Sequence, residues 1–264
     1  YGCRVPILQD ASKHVAFIVD FGGGTFDACV IESTNKGDIS LSGKSSKPLA
    51  ADSVPVGGFV VNREIASFLI KLNLDNGKRK EADRYIGQYQ RVLIGELKLE
   101  DLGVKNRCFI ENYKKLEASA ESFKIELSSK ISNWRLDSDA YEKVMVDVPA
   151  DPFASSGSVK IEFYAHQMRT VFVNEVWNKK LKKTVSNVLD RSCEALNDRI
   201  ISVTLISGGS SNLKWLQELL IKDFSDQLEN AEPVPISHSF QEVVANGLAI
   251  ECARRYYDTD SEFV

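Results

Sequence analysis

The sequence predicts an α/β fold whose core is interrupted by an inserted α+β subdomain. Near the start, two apolar runs flank three consecutive glycines within residues 15–31, a pattern typical of a β-hairpin. Near the end, residues 200–220 have the pattern of a strand, a Gly-Gly-Ser turn and an amphipathic helix. Helical patterns and short strand candidates lie between them. We therefore expect residues 1–56 and 178–264 to form the core, and residues 57–177 to form the inserted subdomain.

The composition excludes several classes of protein. The chain has 264 residues, of which 43% are hydrophobic, so it can bury a sizeable core. Its net charge is −4 and it carries no basic block, so we expect no nucleic-acid partner. No apolar run approaches the roughly 20 residues of a membrane-spanning helix, so we expect no membrane partner either.

The cysteines and histidines predict neither disulfide bonds nor a metal centre. The five cysteines are odd in number and widely scattered, without a CxxC pair or a signal peptide. We interpret them as the reduced thiols of a cytoplasmic protein. The three histidines, His14, His166 and His238, are far apart and lack metal-ligand spacing.

The middle of the chain alternates helical patterns with short strands. A polar, turn-like stretch at 73–80 predicts a loop. The expected helices lie at about 81–99, 112–129 and 166–197, the last as two helices or one bent helix. The expected strands lie at 133–136, 144–148 and 159–163.

The first glycine turn has the composition of a phosphate-binding loop. Consecutive glycines let backbone N–H groups converge without side chains in the way, which suits a phosphate. A carboxylate on each side of the turn could hold a hydrated cation beside that phosphate. A plain hairpin with a glycine tip would explain the glycines but not the carboxylates. The residues of this candidate site are Asp20, Gly22, Gly23, Gly24, Thr25 and Asp27.

The octapeptide from Asp20 to Asp27 resembles the second phosphate loop of the seventy-kilodalton heat-shock chaperones, the DnaK family. Those stress-response proteins have an actin-like, ribonuclease H-like ATPase fold. The resemblance implies that the chain binds ATP or ADP with Mg²⁺, and K⁺ as a further cation. It assigns Asp20 to hydrated Mg²⁺ or the attacking water, Thr25 and the glycine N–H groups to the β- and γ-phosphates, and Asp27 to a cation.

A second glycine pair precedes a helical pattern. Gly57 and Gly58 resemble the Gly-Gly turn at which, in that family, a helix N-terminus faces the nucleotide. Unpaired N–H groups at a helix start attract phosphate, which supports the assignment. An ordinary transition from loop to helix fits the sequence equally well.

The predicted helix at 112–129 carries three polar residues on one face. Glu121, Lys124 and Ser128 are spaced i, i+3 and i+7, so their side chains project in a similar direction. Taken alone, a charged helix face is usually just solvated. In the DnaK family the same Glu-x-x-Lys-x-x-x-Ser pattern contacts the nucleoside. The resemblance therefore assigns Glu121 and Lys124 to the ribose hydroxyls, and Ser128 to the edge of the base.

A third glycine turn follows the strand near residue 205 and resembles the adenosine loop of the family. Its glycines would let the backbone approach the adenosine and the α-phosphate. The residues of this turn are Gly208, Gly209, Ser210 and Asn212. The segment 240–250 resembles the last helix of the family domain.

Two positions depart from the family pattern. The family clamps adenine between two arginine side chains, and this chain has Ile125 and Asn212 at those positions. A cation–π contact of that kind is worth roughly 0.5–2 kcal/mol. Losing both would weaken adenosine binding by roughly ten-fold or more, so we expect weak ATP binding or a relaxed base preference.

The resemblance covers the nucleotide-binding lobe only. The family's first phosphate loop, its catalytic lysine and its substrate-binding domain have no equivalent in these residues. We therefore expect an ATP-binding lobe of a DnaK-like chaperone ATPase that alone hydrolyses ATP poorly or not at all. The alternative is a divergent, non-hydrolysing interaction module. In the ATPase, co-chaperones or a nucleotide-exchange factor would bind through residues 57–177. In the interaction module, co-chaperones or a dedicated partner would bind there.

Overall fold

The structure is a computed structural model. It describes residues 13–34, 46–138, 141–155, 157–196, 199–228, 231 and 233–235. The chain has a mixed α/β fold and divides into two compact units. Unit 1 comprises Tyr1–Gly58 and Lys179–Val264, and unit 2 comprises Phe59–Asn178.

The described residues form groups of strands and groups of helices in turn. The strands are β1 (Lys13–Phe21), β2 (Phe26–Thr34), β3 (Lys47–Val54), β4 (Lys143–Pro149), β5 (Ser158–Tyr164), β6 (Val203–Ser207) and β7 (Pro233–Pro235). The α-helices are α1 (Gly58–Lys71), α2 (Asn76–Leu93), α3 (Val104–Lys130), α4 (Ala165–Val171), α5 (Lys182–Leu196), α6 (Trp215–Asp223) and α7 (Ser225–Leu228). A π-helical segment covers Phe172–Leu181, and short 3₁₀ turns cover Leu99–Asp101 and Gly209–Asn212.

Unit 1 is built on a mixed five-stranded sheet with the order β3-β2-β1-β6-β7. β2 is antiparallel to both β1 and β3, whereas β6 is parallel to β1 and β7. The predicted hairpin is confirmed, because β1 and β2 pair along their whole length with Phe21 opposite Phe26. Alternate residues of β1, including Phe17 and Val19, are fully buried, so this strand supplies part of the core.

Helix α5 packs against strands β2 and β3 of the sheet. The side chains of Asn187 and Arg191 reach β3, where they donate to Asp52 Oδ2 (3.0 Å) and to the carbonyl oxygen of Ala51 (2.8 Å). The Asn187 amide, the Ser53 N–H and the nearby Arg191 charge together hold the pKa of Asp52 below its ordinary value. These contacts fix the edge of the sheet that leads into the Gly57-Gly58 turn.

Unit 2 contains a helical layer beside the two-stranded β4–β5 sheet, and α3 contacts β4. Neighbouring rings of its aromatic cluster have centroids 5.3–6.2 Å apart. The cluster consists of Tyr85, Tyr89, Phe109, Tyr113 and Phe153. Tyr113 also ties α3 to α1, since its hydroxyl donates to the Arg63 carbonyl and lies 3.0 Å from Ser67 Oγ.

Several boundaries predicted from the sequence are wrong. Residues 76–80 belong to α2 rather than to a loop, because Asp75 caps the helix by accepting from Lys78 N at 2.8 Å. The same helix ends at Leu93 instead of residue 99, shortly before Gly95 with φ of +78°. Helix α3 begins at Val104, eight residues before the predicted start of the helix at 112–129.

The strand predicted at 133–136 is absent. Asn133 Oδ1 accepts from Arg135 N at 3.1 Å, and Ser138 N donates to the Arg135 carbonyl, so this segment forms turns instead. The strands predicted at 144–148 and 159–163 are confirmed as β4 and β5. The 166–197 pattern is one helical run in which the π-helical segment joins α4 to α5. The segment 240–250 lies outside the described residues.

Candidate functional site

The first glycine turn forms an open tip between β1 and β2. Gly22 N donates to the Thr25 carbonyl at 3.0 Å and closes the turn. Gly23, Gly24 and Thr25 are exposed, and a Cβ at Gly23 or Gly24 would meet nothing within 4 Å. The backbone of this tip is therefore accessible to a ligand.

The Gly57-Gly58 turn packs directly on this tip. A Cβ at Gly57 would lie 2.4 Å from the Gly23 carbonyl group and the Gly24 nitrogen, so only glycine fits. Gly58 N donates to the Gly22 carbonyl at 3.0 Å. The first N–H of α1 therefore binds the Gly22–Thr25 turn and holds it in place. The sequence instead predicts that this N–H faces a phosphate.

The third glycine turn approaches the same point from β6. Gly208 has φ of +90°, and a Cβ there would lie 2.4 Å from Asp20 Oδ1 and from the Phe21 carbonyl oxygen. The buried Ser210 hydroxyl donates to the Gly22 carbonyl at 2.8 Å. Since β1 and β6 are parallel and Asp20 pairs with Ser207, the turns meet at the carboxyl ends of two strands. In open α/β sheets this edge is where ligands bind.

Two carboxylates face each other across the hairpin, since Asp20 pairs with Asp27. Burial and the neighbouring Asp27 charge raise the pKa of Asp20. Asp27 accepts from Thr25 Oγ1 at 2.7 Å and from Ser53 Oγ at 2.5 Å. Two adjacent carboxylates that repel one another fit a cation placed near both.

The chemistry of these donors suits Mg²⁺ better than a metal held by protein ligands alone. No group of three or more His, Cys, Asp or Glu residues in the described part of the chain could hold a metal ion. Mg²⁺ commonly uses one or two carboxylates and takes its other ligands from phosphates and water. Asp20 and Asp27 are the residues that would hold it.

Two residues of the candidate sites were missed in the sequence. Ser53, which binds Asp27, is 26 positions away along the chain, on β3. Asn62 of α1 binds two residues of α3 about 60 positions away. No sequence signal marks either residue, because each contact depends on how distant segments pair.

The predicted nucleoside residues belong to unit 2, whereas the glycine turns belong to unit 1. Lys124 Nζ donates to Glu121 Oε2 at 2.7 Å and to Asn62 Oδ1 at 2.9 Å. Burial raises the pKa of Glu121, but hydrogen bonds from Lys124 and Asn62 outweigh it and hold the pKa below its ordinary value. Ser128 is half-exposed, one turn further along α3.

The two positions that depart from the family pattern differ in environment. Ile125 is 58% exposed on α3. The Asn212 amide donates to the Gly209 carbonyl at 3.0 Å and so closes its own turn. Asn212 therefore stabilises the Gly208–Asn212 backbone, while Ile125 leaves an apolar surface in water.

No protein-family model matches this chain, and no curated protein matches it. The resemblance to the DnaK family stays a prediction from the residues. Among the described residues, Cys29, Cys108 and Cys193 have free thiols, and no helix is long and apolar enough to cross a membrane.

The raised pKa of Asp20 predicts a pH-dependent stability. The folded chain disfavours the ionised carboxylate, so this charge lowers the free energy of unfolding above the folded pKa. That loss disappears as the pH falls through the folded pKa towards the unfolded value. We expect Asp20→Asn to be more stable than the wild type near neutral pH, with the gain fading in acid. Urea unfolding between about pH 3 and pH 8 measures this, and a variant less stable than wild type at neutral pH would contradict it.

Proposed function

We propose that this chain is the nucleotide-binding lobe of a DnaK-type chaperone ATPase with an actin-like fold, and that unit 1 binds the phosphates of ATP or ADP. The observation that carries the proposal is that two glycine turns, Gly57-Gly58 and Gly208–Asn212, pack against a third, which forms the exposed Gly23–Thr25 tip. Two of these turns contain a glycine that packs too closely for any side chain, namely Gly57 and Gly208.

The electrostatics of the tip require a cation beside the phosphates. Backbone N–H groups at a glycine turn can donate to phosphate oxygens, but Asp20 and Asp27 would repel them. Mg²⁺ would offset this repulsion and polarise the phosphoryl oxygens. We therefore expect nucleotide affinity to depend on Mg²⁺.

The contacts within the tip support a role in phosphoryl transfer, where catalysis is mostly positioning and charge stabilisation. The Thr25 hydroxyl donates its one proton to Asp27, so the threonine side chain is fixed and would have to release Asp27 before it could donate to a phosphate. Ser53 donates to the other oxygen of Asp27 and holds that carboxylate in turn. Asp20, at the end of β1, would orient water next to the phosphates.

A second candidate function is a non-hydrolysing interaction module. The exposed Ile125 and the inward-bonded Asn212 favour it, because neither provides the guanidinium plane that the DnaK family places on adenine. In that case unit 2 would recognise a co-chaperone or another dedicated protein.

Calorimetric titration with ATP, ADP and AMP, with and without Mg²⁺, tests the proposal. We expect ATP and ADP to bind at least about ten-fold more tightly than AMP, because the tip would contact the β-phosphate. Gly209→Val should weaken binding without unfolding the chain, since a Cβ there meets nothing within 4 Å. Lys124→Ala tests the ribose assignment separately.

Equal affinities for ATP, ADP and AMP would contradict phosphate recognition at the tip. Absence of binding at millimolar nucleotide would favour the interaction module. Repeating the titrations with K⁺ in place of Na⁺ tests whether K⁺ is the further cation that the site binds.

A further inference from the structure

Asn62 joins the two charged residues of the nucleoside face into a closed ring of hydrogen bonds. Its Nδ2 donates to Glu121 Oε2 at 2.7 Å, and its Oδ1 accepts from Lys124 Nζ at 2.9 Å. Lys124 Nζ also donates to Glu121 Oε2 at 2.7 Å. All three residues belong to unit 2, with Asn62 on α1 and the other two on α3.

The ring leaves one donor and one acceptor for a ligand. An ammonium group has three N–H bonds, and Lys124 uses two of them within the ring. Both hydrogen bonds to Glu121 end on Oε2, so Oε1 is the oxygen that the ring does not use. The side chain of Glu121 is 50% exposed, whereas that of Lys124 is only 7% exposed. Glu121 Oε1 is thus a solvent-exposed acceptor that lies beside the remaining N–H of the nearly buried Lys124 ammonium.

This pair of groups matches a vicinal diol. Each hydroxyl of a diol can donate and accept, so one could donate to Glu121 while its neighbour accepts from Lys124. Both hydrogen bonds would involve a charged partner, the stronger kind. A site built to bond hydroxyls rejects an analogue that lacks them, because its polar groups are then left unpaired.

We propose that Asn62 is a positioning residue that fixes Glu121 and Lys124 so that this face of unit 2 selects ligands with a cis-diol. The inference rests on the proposed nucleotide function and names the ribose as the part recognised. Without the amide, Glu121 could rotate about its side-chain bonds and Lys124 would lose an acceptor. Fixing charged side chains before binding lowers the entropy lost on binding.

A purely structural role for Asn62, tying α1 to α3, makes a different prediction. Losing such a tie would lower the affinity for all nucleotides by the same factor. Losing a positioning residue would lower the affinity only for ligands that carry the diol. The selectivity between two nucleotides therefore separates the two roles.

The test compares ATP with 2′,3′-dideoxy-ATP on the full 264-residue chain by calorimetry. We expect the wild type to prefer ATP by roughly ten-fold or more, the contribution of one hydrogen bond to a charged group. In Asn62→Ala the preference should fall to about three-fold or less, with the affinity for dideoxy-ATP nearly unchanged. Asn62→Asp, which keeps the shape of the side chain, should also lose the preference because its carboxylate would repel Glu121.

Ser67→Ala is the matched control, because the Ser67 hydroxyl also links α1 to α3, through Tyr113 at 3.0 Å. It should keep the wild-type preference for ATP. The inference is overturned if Asn62→Ala and Asn62→Asp keep the preference for ATP. It is also overturned if these variants lower the affinity for ATP and for dideoxy-ATP by the same factor. A wild type that binds both nucleotides equally overturns this inference alone, whereas one that binds neither overturns the proposed function as well.

Discussion

Replacing Gly208 by alanine is expected to lower the free energy of unfolding by about 3 kcal/mol or more. Two costs combine at this position. The backbone has φ of +90° and ψ of 147°, a conformation essentially restricted to glycine. The new Cβ would also lie 2.4 Å from Asp20 Oδ1 and the Phe21 carbonyl oxygen. Because the second contact is with backbone, it can be relieved only by moving the end of β1.

Gly209→Ala is the matched control for this prediction. Gly209 is the next residue, lacks a positive φ, and has open space where a Cβ would be. Urea unfolding of the two variants should therefore give a large loss for the first and a change within about 0.5 kcal/mol for the second. Similar losses for both would show that the turn does not pack on β1 as described.

Replacing Arg199 by alanine is expected to lower the free energy of unfolding by about 2–3 kcal/mol. Its guanidinium pairs with Glu32, whose side chain is only 11% exposed. The same group donates to the carbonyl oxygens of Leu196 (2.8 Å) and Ala195 (2.9 Å), at the C-terminal end of α5. Alanine would remove this helix-end partner and also the cation that pairs with the nearly buried Glu32 carboxylate.

Arg191→Ala, within α5 itself, provides the comparison. Arg191 also donates to a carbonyl of β3, but its side chain is 55% exposed and lies 3.7 Å from Asp52. An exposed ion pair contributes about 0–1 kcal/mol, so this variant should lose much less stability. Equal losses in the two variants, measured by urea unfolding, would contradict the account of Arg199.

Local patterns made much of unit 1 predictable. The hairpin of β1 and β2 follows from apolar strands of equal length around three glycines, and its register needs no distant partner. The strand, glycine turn and helix near residue 208 were predicted for the same reason. The close packing of Gly57 on the Gly23–Gly24 peptide was not predictable, because it depends on how β3 returns to the hairpin.

The secondary-structure predictions were wrong where a side chain forms a hydrogen bond to the nearby backbone and changes its course. The sequence around Trp134 favours a strand by residue type, but the Asn133 side chain bonds the backbone two residues on and forms a turn. The polar residues after Asp75 resemble a loop, although Asp75 is a good N-cap that starts α2. Propensity alone does not decide such cases.

In the candidate site, too, some residues were predictable from the sequence and others were not. The order of the glycine turns and the spacing of Glu121, Lys124 and Ser128 were visible in the sequence. The polar partners Ser53 and Asn62 were not, because a hydroxyl on a strand or an amide on a helix usually faces solvent. Their roles follow only from which strand pairs with β2 and which helix packs on α3.

The affinity of Gly24→Val for Mg²⁺-ATP tests the central claim most directly. A Cβ at Gly24 would meet no protein atom within 4 Å, so valine is tolerated there, and its methyl groups would stand on the exposed tip where we propose that a phosphate binds. The account predicts wild-type stability within about 0.5 kcal/mol and at least a ten-fold loss of ATP affinity. Gly87→Ala, in the interior of α2, is the control and should bind ATP like the wild type. A Gly24→Val chain that binds Mg²⁺-ATP as tightly as the wild type would contradict the account.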